Sequence, residues 1–457
     1  MSRRPLAPIA FGLALLLGAC GADVPTPAAT SVPSATPAAS LAASVAPSEP
    51  PFTGDVEPAP GSDSAVYAPN PAAIVVAIDA GHGGCLDWGV PDPSERGVEL
   101  AEKTMTLGMA RALRDRLEAD GITVVMIRDG DDALAGDQYP ELGCDGPAWR
   151  DVNGDGEAGF DPEGATRTRD ELQARLDLAN LSGADALVSI HVNSPFDGGQ
   201  RIEIAFTETF YTDETPWGAD ATERLARGVQ DGVVASLAAM ADYERGDRGI
   251  TAHNFYIVAP PLLEPTEERP NRFAQPTRGG LMPVVLSEVG SITLRAEHDL
   301  LASATGRDAV AAGLFDGLAA FFGERELAAR IGLAGESVPA APAPVEGEGP
   351  PFWAATLPVG PLRLELTNTG TRTWPDGMRV VAGWAPSEEP YLAFAPEELE
   401  PLPADVPALA PGESVIVTVA LPSGPAGRGL AWISLRTEGG TLADLGSPAL
   451  QLSSAAP

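Results

Sequence analysis

Apolar segments alternate with segments of helical periodicity between residues 73 and 325, and this alternation limits the possible folds more than any other feature. Apolar runs predict strands at 73–79, 122–128, 184–194, 254–260 and 282–291. Apolar residues at helical spacing predict helices at 102–121, 167–183, 222–240 and 306–325. Strands that alternate with helices form a largely parallel sheet covered on both faces. The sequence therefore predicts an α/β domain with a twisted, mostly parallel sheet and helices on both faces.

Titratable side chains stand at the ends of several predicted strands. His82 follows the first strand, and His191 and Glu288 occupy the same end of two later strands. Functional sites of parallel sheets collect at the carboxyl ends of the strands. Glu102 opens the helix after the first strand and can turn back to the same edge. Two imidazoles, one carboxylate ligand and one free carboxylate are what a catalytic zinc site needs, because three protein ligands leave a fourth position for water.

Five segments carry a resemblance to a known family, and they occur in the family's order over about residues 73–325. They are "IDAGHGG", "ELAEKTMTLGMARALRDRLEADGITVVMIR", "RLDLANLSGADALVSIHVNS", "RGITAHNFYIV" and "MPVVLSEVGSIT". These segments resemble the zinc-dependent N-acetylmuramoyl-L-alanine amidases. The resemblance implies hydrolysis of the amide between the lactyl group of N-acetylmuramic acid and L-Ala of the peptidoglycan stem peptide.

The resemblance also implies a role for each site residue. Zinc ligands are expected at His82, Glu102 and His191, and a catalytic carboxylate at Glu288. Zinc would polarise the scissile carbonyl and lower the pKa of its bound water, and Glu288 would carry a proton from that water to the departing amine. Glu99 is a second candidate for the carboxylate ligand, although the residues that follow Glu102 fit the family better.

Other interpretations of function stay open at this stage. A peptidoglycan-binding or regulatory envelope lipoprotein could keep the fold without turnover, and a zinc peptidase could cut a different amide. The presence of all four expected site residues argues against a non-catalytic protein. His253 and His298, the remaining histidines, have no matching partners in the sequence and are expected to be structural.

Three segments are longer than the resemblance leads us to expect, namely 85–96, 129–166 and 259–280. Cys85 and Cys144 lie in two of these insertions. Because thiols outside the cytoplasm tend to pair, we expect a disulfide between them.

The acidic segment "DVNGDGEAGFDPEG" (151–164) resembles the first half of an EF-hand calcium loop. It places oxygen-bearing side chains at Asp151, Asn153 and Asp155. The twelfth position holds Pro162 instead of the bidentate Glu of an EF-hand. The segment is therefore either a calcium site or a solvated acidic loop.

The N-terminal residues predict export. Arg3 and Arg4 precede an apolar run that is too short to span a bilayer, and "LGAC" ends at Cys20. This pattern resembles the signal of bacterial lipoproteins and implies cleavage before Cys20 and lipidation of its thiol. An ordinary signal peptide with a chance cysteine is the alternative. We expect a signal peptide at 1–20 and a disordered Ala/Pro/Ser/Thr tether at 21–70, so that the exported protein is lipid-anchored to the cell membrane and faces the cell wall.

The predicted catalytic domain spans 71–326, a predicted linker spans 327–350, and a predicted all-β module spans 351–457. Alternating strands punctuated by Pro and Gly predict an antiparallel β-sandwich in this module, and its spaced tryptophans resemble those of an Ig-like domain. Three tryptophans are expected in its core: Trp374, Trp384 and Trp432. The sequence identifies no partner for the module, and the net charge of −35 makes nucleic acid a poor partner for the chain.

Overall fold

A computed structural model describes ten ranges of the chain. They are residues 71–90, 100–153, 158–159, 169–197, 199–215, 217–259, 278–336, 355–384, 399–424 and 429–454. The predicted signal at 1–20, with Cys20, and the predicted tether at 21–70 lie outside these ranges. Within them, no helix combines the length and the apolar character needed to cross a membrane.

The described residues of the α/β part form six main strands and five helices, numbered in chain order. The main strands are β1 (Val75–Ala80), β2 (Thr123–Met126), β5 (Ala186–Asn193), β8 (Phe206–Tyr211), β9 (Gly246–Ala252) and β10 (Val284–Ser291). The helices are α1 (Glu102–Ala119), α2 (Arg169–Ser182), α3 (Ala219–Ala238), α4 (Arg295–Ala302) and α5 (Ala304–Glu324). Two small ladders pair β3 (Gln138–Tyr139) with β4 (Cys144–Asp145) and β6 (Phe196–Asp197) with β7 (Gln200–Arg201). Single 3₁₀ turns occupy Pro71–Ala73 and Pro140–Leu142.

The main sheet has the strand order β2-β1-β5-β10-β8-β9. Its neighbouring strands are parallel except for β10 and β8, which are antiparallel. The predicted α/β architecture with a mostly parallel sheet is therefore confirmed. Because β8 and β9 run against the other strands, they begin at the edge where β1, β5 and β10 end.

Helices cover both faces of the sheet, as predicted. Alternate residues of a strand point to opposite faces, so Val76 and Ile78 of β1 join one core and Val75 and Ala77 join another. The first core packs against α1, α3 and α5, and the second packs against α2. We call the second surface the α2 face of the sheet.

The segment predicted as a strand at 254–260 is the main error in this part of the chain. Its described residues form a turn, closed by the N–H of Val258, which donates to the carbonyl of Phe255 at 3.0 Å. Tyr256, Ile257 and Val258 are buried on the α2 face. A short apolar run in a sequence indicates burial but does not by itself establish a strand. Strand β9 is not predicted from the sequence because its residues are mostly polar and include glycine.

The strands after α5 build two further sheets. The first contains β11 (Ala329–Leu333), β13 (Leu362–Asn368) and β16 (Ser414–Val419). The second contains β12 (Ala355–Thr356), β14 (Arg379–Trp384), β15 (Glu400–Pro401), β17 (Leu430–Thr437), β18 (Gly440–Thr441) and β19 (Leu450–Ser453). Apolar side chains of both sheets share one core, which is the arrangement of a β-sandwich. Trp374 and Trp432 are fully buried and Trp384 is half-buried.

The predicted linker at 327–350 is wrong for its first residues. Ala329–Leu333 is strand β11, which pairs with β13 so that Ile331 lies opposite Leu366. The alternate residues of β11 are buried in the sandwich core. Small residues surround this short pattern in the sequence and made it resemble a linker. The sandwich therefore begins directly after α5, and residues 337–350 lie outside the described ranges.

An aromatic cluster joins the sandwich to the α/β part. Trp432 on β17 packs against Trp217, which precedes α3, with ring centroids 5.8 Å apart. Leu281, just before β10, and Leu430 belong to the same buried cluster. Trp432 was expected in the core of the sandwich, but it is buried between the two parts of the chain instead.

A buried carboxylate makes a second connection between these parts. Asp185, which precedes β5, is fully buried. Its Oδ2 accepts a hydrogen bond from the N–H of Val75 at 3.0 Å, within the main sheet. Its Oδ1 accepts from Arg325 Nη1 at 3.0 Å and from the sandwich residue Thr369 Oγ1 at 3.0 Å. Asp185 thus links the first strand, the end of α5 and the sandwich.

Candidate metal centre

The turn after β1 places His82 at the edge of the main sheet. His82 has a φ of 62°, and among the described residues it is the one non-glycine residue with a positive φ. Arg128 donates to the carbonyls of Ala80 at 2.8 Å and Gly81 at 3.0 Å. Arg175 donates to the carbonyls of Ala80 at 2.9 Å and His82 at 2.8 Å. A left-handed conformation costs free energy in a histidine, so it persists because these two buried guanidinium groups fix the turn.

Three of the predicted site residues meet at this edge. Nε2 of His82 and Nδ1 of His191 each lie 3.2 Å from Oε1 of Glu102. One ligand atom from each residue lies within 4.8 Å of the others. Ligands of a tetrahedral ion bound at about 2.1 Å are roughly 3.4 Å apart, which the two nitrogen–oxygen distances of 3.2 Å match. Imidazole nitrogen and carboxylate oxygen are also ligands that zinc takes in proteins. Glu99, the alternative ligand, lies outside the described ranges.

Two glycines allow the ligands to approach the backbone. A Cβ atom added to Gly81 would lie 2.5 Å from the ring of His191, and one added to Gly89 would lie 2.5 Å from a carboxylate oxygen of Glu102. Neither contact is sterically possible. Gly81 lies in the segment "IDAGHGG", and Gly89 lies in the longer segment that begins at Cys85.

Hydrogen bonds orient two of the three candidate ligands. Nδ1 of His82 lies 2.7 Å from Oδ1 of Asp87, which leaves Nε2 facing Glu102. The carboxylate of Glu102 accepts from the N–H of Val90 and the N–H of Val192, both at 2.9 Å. Partners of this kind fix the tautomer and the orientation of metal ligands.

The charges of the site favour a cation. Burial opposes charge on Glu102, but the imidazoles of His82 and His191 outweigh burial and hold the pKa of this carboxyl well below its usual value. Burial also opposes charge on His82, yet the carboxylates of Asp87 and Glu102 raise its pKa well above the usual value. Against the same opposing effect of burial, His82 lowers the pKa of Asp87 to about 2. The two carboxylates therefore stabilise positive charge at His82, whether a proton or a metal ion carries it.

Glu288 lies next to the cluster on the neighbouring strand. It is in register with His191 in the pairing of β10 with β5, so the two side chains occupy the same face. Its Oε2 is buried and has no hydrogen-bond partner among the described residues. Burial and the charge of Glu102 raise its pKa well above the usual value for a glutamate. An acid with a buried carboxylate oxygen and a raised pKa, beside a metal centre, can both accept and donate a proton.

The start of the longer segment 85–96 is anchored beside the metal centre by residues 131–144 of the longer segment 129–166. Cys85 and Cys144 form a disulfide with a Cα–Cα distance of 5.7 Å. Asp137 accepts from the N–H groups of Cys85 at 2.6 Å and Leu86 at 3.2 Å. Lys103 donates to the carbonyl of Gly84 and to Asp131, both at 2.6 Å. The segment that carries His82 and Asp87 is thereby fixed to residues 131–144.

The predicted calcium loop is only partly within the described residues. Asp155 lies outside them, while the N–H groups of Val152 and Asn153 donate to Asp170 at 2.7 and 3.1 Å. Within the described ranges, Asp151 does not belong to a group of His, Cys, Asp or Glu side chains that could hold a metal ion. Burial raises the pKa of Asp170 to about 6. Calcium at this loop stays a prediction.

The remaining histidines lie apart from the metal cluster. His253 is half-buried and packs edge-on against Phe210 and Phe255, and burial lowers its pKa. His298 is fully buried on α4. Neither belongs to the group of His82, Glu102 and His191.

Sequence reasoning missed the residues that hold the ligands in place. Arg128, Arg175 and Asp87 contact the turn or the ring of His82 but show no pattern of their own in the sequence. One available signal was Lys103, the single lysine of the chain, which directly follows Glu102. A lone lysine beside a candidate ligand indicates a specific partner, here Asp131.

Known proteins resemble the α/β part of the chain. The family profile described as N-acetylmuramoyl-L-alanine amidase (Amidase_3) matches residues 76–320, which is more than half of the 457 residues. The uncharacterized protein YqiI of Bacillus subtilis (strain 168) is 25% identical over 247 residues, which cover 54% of this chain and 84% of that protein.

Two further proteins illustrate the similarity. The germination-specific N-acetylmuramoyl-L-alanine amidase of Bacillus subtilis (strain 168) is 27% identical over 256 residues, which cover 55% of this chain and 81% of that protein. The crystal structure of N-acetylmuramoyl-L-alanine amidase from Clostridium difficile 630 is 25% identical, with a TM-score of 0.36, and the match covers 54% of this chain and 95% of that one. The family match over residues 76–320 includes all four site residues, and the chain therefore belongs to the N-acetylmuramoyl-L-alanine amidase family and is a peptidoglycan amidase.

Proposed function

We propose that His82, Glu102 and His191 hold a zinc ion and that Glu288 is the catalytic acid and base. The observation that carries the proposal is the meeting of three donor atoms within 4.8 Å, beside a buried carboxylate in register with His191. The bond cleaved would be the amide between N-acetylmuramic acid and L-Ala of the peptidoglycan stem peptide.

Glu288 would perform the proton transfers of this hydrolysis. Bound zinc supplies a polarised scissile carbonyl and a water of near-neutral pKa. Glu288 accepts a proton from the attacking water and delivers it to the amine nitrogen of L-Ala as the carbon–nitrogen bond breaks. The raised pKa of Glu288 suits both steps, and its unpartnered Oε2 is available to the water. The new carboxyl group remains on N-acetylmuramic acid, and the stem peptide leaves with a free amine.

Purified peptidoglycan provides the test of this reaction. The zinc-loaded protein should release stem peptides with an N-terminal L-Ala, which mass spectrometry of the soluble products would identify. The Glu288→Gln variant should bind peptidoglycan and release none. Cuts within the stem peptide would assign a peptidase instead, and binding of unchanged peptidoglycan by the wild-type protein would assign a non-catalytic role.

The regions outside the catalytic part are assigned on sequence features. We place a lipoprotein signal at 1–20, a lipid on Cys20, a tether at 21–70 and an Ig-like fold in the C-terminal sandwich. The lipid would hold the enzyme at the cell membrane, facing the wall. A Cys20→Ser variant that stays in the detergent-rich phase after phase separation would exclude the lipid anchor.

A further inference from the structure

A row of polar side chains continues past the metal centre on the α2 face of the sheet. His191 on β5 is in register with Glu288 on β10, and Glu288 is in register with Glu208 on β8. Residues directly opposite each other on neighbouring strands lie on the same face, about 5 Å apart. Glu208 thus extends the row from a metal ligand and a proton carrier towards β9.

Arg248 on β9 ends this row. Nη1 of Arg248 lies 3.6 Å from Oε2 of Glu208, and Thr251 donates to the other oxygen of that carboxylate at 2.8 Å. The guanidinium group of Arg248 stacks on the ring of buried Phe206, with Cζ 3.5 Å from the ring centroid. Asp247, its neighbour in sequence, accepts from Gln230 of α3 and thus points to the other face.

The guanidinium group of Arg248 is fixed in position, but its N–H groups donate no hydrogen bond within the described residues. Its side chain is 38% exposed, against 12% for Glu208. Among the described residues, the long contact with Glu208 is its one ion pair, and its side chain makes no hydrogen bond. Because an aromatic ring already holds the planar guanidinium group, little conformational entropy is lost when this group binds a carboxylate through two parallel hydrogen bonds. In a chain with a net charge of −35, such a group is a local site for an anion.

The order of the row indicates which part of the substrate reaches Arg248. The amine of L-Ala must lie within about 3 Å of Glu288 to receive its proton, while the acyl side lies at the metal ligands. The leaving peptide therefore extends from Glu288 across β8 and β9. Adjacent strands are about 4.8 Å apart, which places β9 about 10 Å from β10. One residue of the peptide spans about 3.5 Å. A side group on the second residue can therefore reach the guanidinium group at the end of the Arg248 side chain.

We propose that Arg248 binds a carboxylate on the second residue of the stem peptide and makes the enzyme selective for substrates that carry it. This inference rests on the proposed amidase reaction. The carboxylate of Glu208 holds one edge of the guanidinium group and leaves the other N–H groups to the substrate.

Two synthetic substrates test the proposal. Both contain N-acetylmuramic acid linked to a stem peptide, and they differ only in whether the second residue carries a free carboxylate or its primary amide. A charge-assisted hydrogen bond contributes about 1.5–3 kcal/mol, so the wild-type enzyme should cleave the carboxylate substrate with a kcat/KM about ten- to a hundredfold higher. Arg248→Gln should abolish this preference by slowing only the carboxylate substrate, and Arg248→Lys should retain part of it.

Arg295→Gln is the matched control. Arg295 is also exposed and paired with a carboxylate, Asp299, but it lies on α4 away from the row. This variant should keep the wild-type preference. Equal cleavage of both substrates by the wild-type enzyme, or an equal loss on both in Arg248→Gln, would overturn the role of Arg248 while leaving the amidase reaction intact. Failure of the wild-type enzyme on both substrates would overturn the amidase proposal and this inference with it.

Discussion

Nδ1 of His82 lies 2.7 Å from Oδ1 of Asp87, five residues later in the same turn. The contact directs Nε2 of the same ring towards Glu102. Asp87 is held in place because its neighbours Cys85 and Leu86 are anchored on Asp137. The longer segment after His82 therefore returns a carboxylate to the ring, and the geometry of the metal centre depends on this segment as well as on the three ligands.

The first prediction concerns this contact. Asp87→Asn removes the negative charge that stabilises the ring of His82 and should weaken zinc binding about 10- to 100-fold, the usual cost of losing such a partner. Competition with a chromogenic chelator measures the affinity without reference to activity. Asp129→Asn, which alters an exposed ion pair with Arg111 on α1, is the control and should bind zinc normally. Unchanged affinity in Asp87→Asn would show that Asp87 does not support the metal.

The second prediction separates the ligands from Glu288. His82→Ala, Glu102→Ala and His191→Ala should each lower zinc content and abolish hydrolysis, whereas Glu99→Ala should do neither. Glu288→Gln should keep full zinc content and slow hydrolysis by roughly 10²–10⁴-fold, the range expected for a general base. Metal analysis of the purified variants, together with rates of peptide release, decides the assignment. Full zinc in Glu102→Ala with loss in Glu99→Ala would reverse the choice of carboxylate ligand.

The third prediction concerns pH. Burial, the charge of Glu102 and the charge of Glu208 raise the pKa of Glu288. Glu208→Gln removes one of these negative charges, so it favours the ionised form of Glu288 and lowers its pKa. Because the base must be ionised to accept a proton, the acidic limb of the kcat/KM profile should move to lower pH. Glu208→Asp keeps the charge and should leave the limb near its original position. A shift of the limb to higher pH in Glu208→Gln would contradict this electrostatic coupling.

Three of the four site residues could be predicted from the sequence because local patterns mark them. His82, His191 and Glu288 each follow an apolar run, and the run alone predicts a buried strand and a shared edge. The residues that fix them come from distant segments. Arg128 reaches the carbonyl of Gly81 across 47 residues, and Arg175 reaches that of His82 across 93. Periodicity reports burial and does not report such pairings, so neither arginine could be found in advance.

The C-terminal part shows the same limit. The longer strands β13, β14, β16 and β17 alternate over enough residues to be predicted. Strand β11 has only five residues, and its partner β13 begins nearly thirty residues later, so it was placed in a linker. The interface between Trp217 and Trp432 depends on tertiary packing, and nothing in the sequence around either tryptophan distinguishes an interface residue from a core residue.

The fourth prediction concerns the disulfide. The bond between Cys85 and Cys144 closes a loop of 59 residues, and in the chain-entropy model such a cross-link contributes about 4 kcal/mol to stability. The oxidised protein should show no free thiol among these two cysteines. Cys144→Ser should lower the melting temperature and weaken zinc binding, because the segment with His82 and Asp87 loses an anchor. Two titratable thiols without reductant would exclude the bond, and unchanged zinc affinity in Cys144→Ser would exclude its influence on the metal centre.

The last prediction is that the sandwich and the α/β part unfold as one unit. Trp432 is buried against Trp217, and Asp185 accepts hydrogen bonds from both parts. Trp432→Ala leaves a large cavity at this interface and should lower the free energy of unfolding by about 3–5 kcal/mol. The near-ultraviolet signal and the amidase activity should both be lost in one melting transition, at a lower temperature than in the wild type. Thr369→Val removes one partner of buried Asp185 and should lower the same transition by a smaller amount, about 1–2 kcal/mol. The contradicting result would be two separate melting transitions in Trp432→Ala, with activity lost only in the transition at the higher, wild-type temperature. That result would show that the catalytic part folds independently of the sandwich.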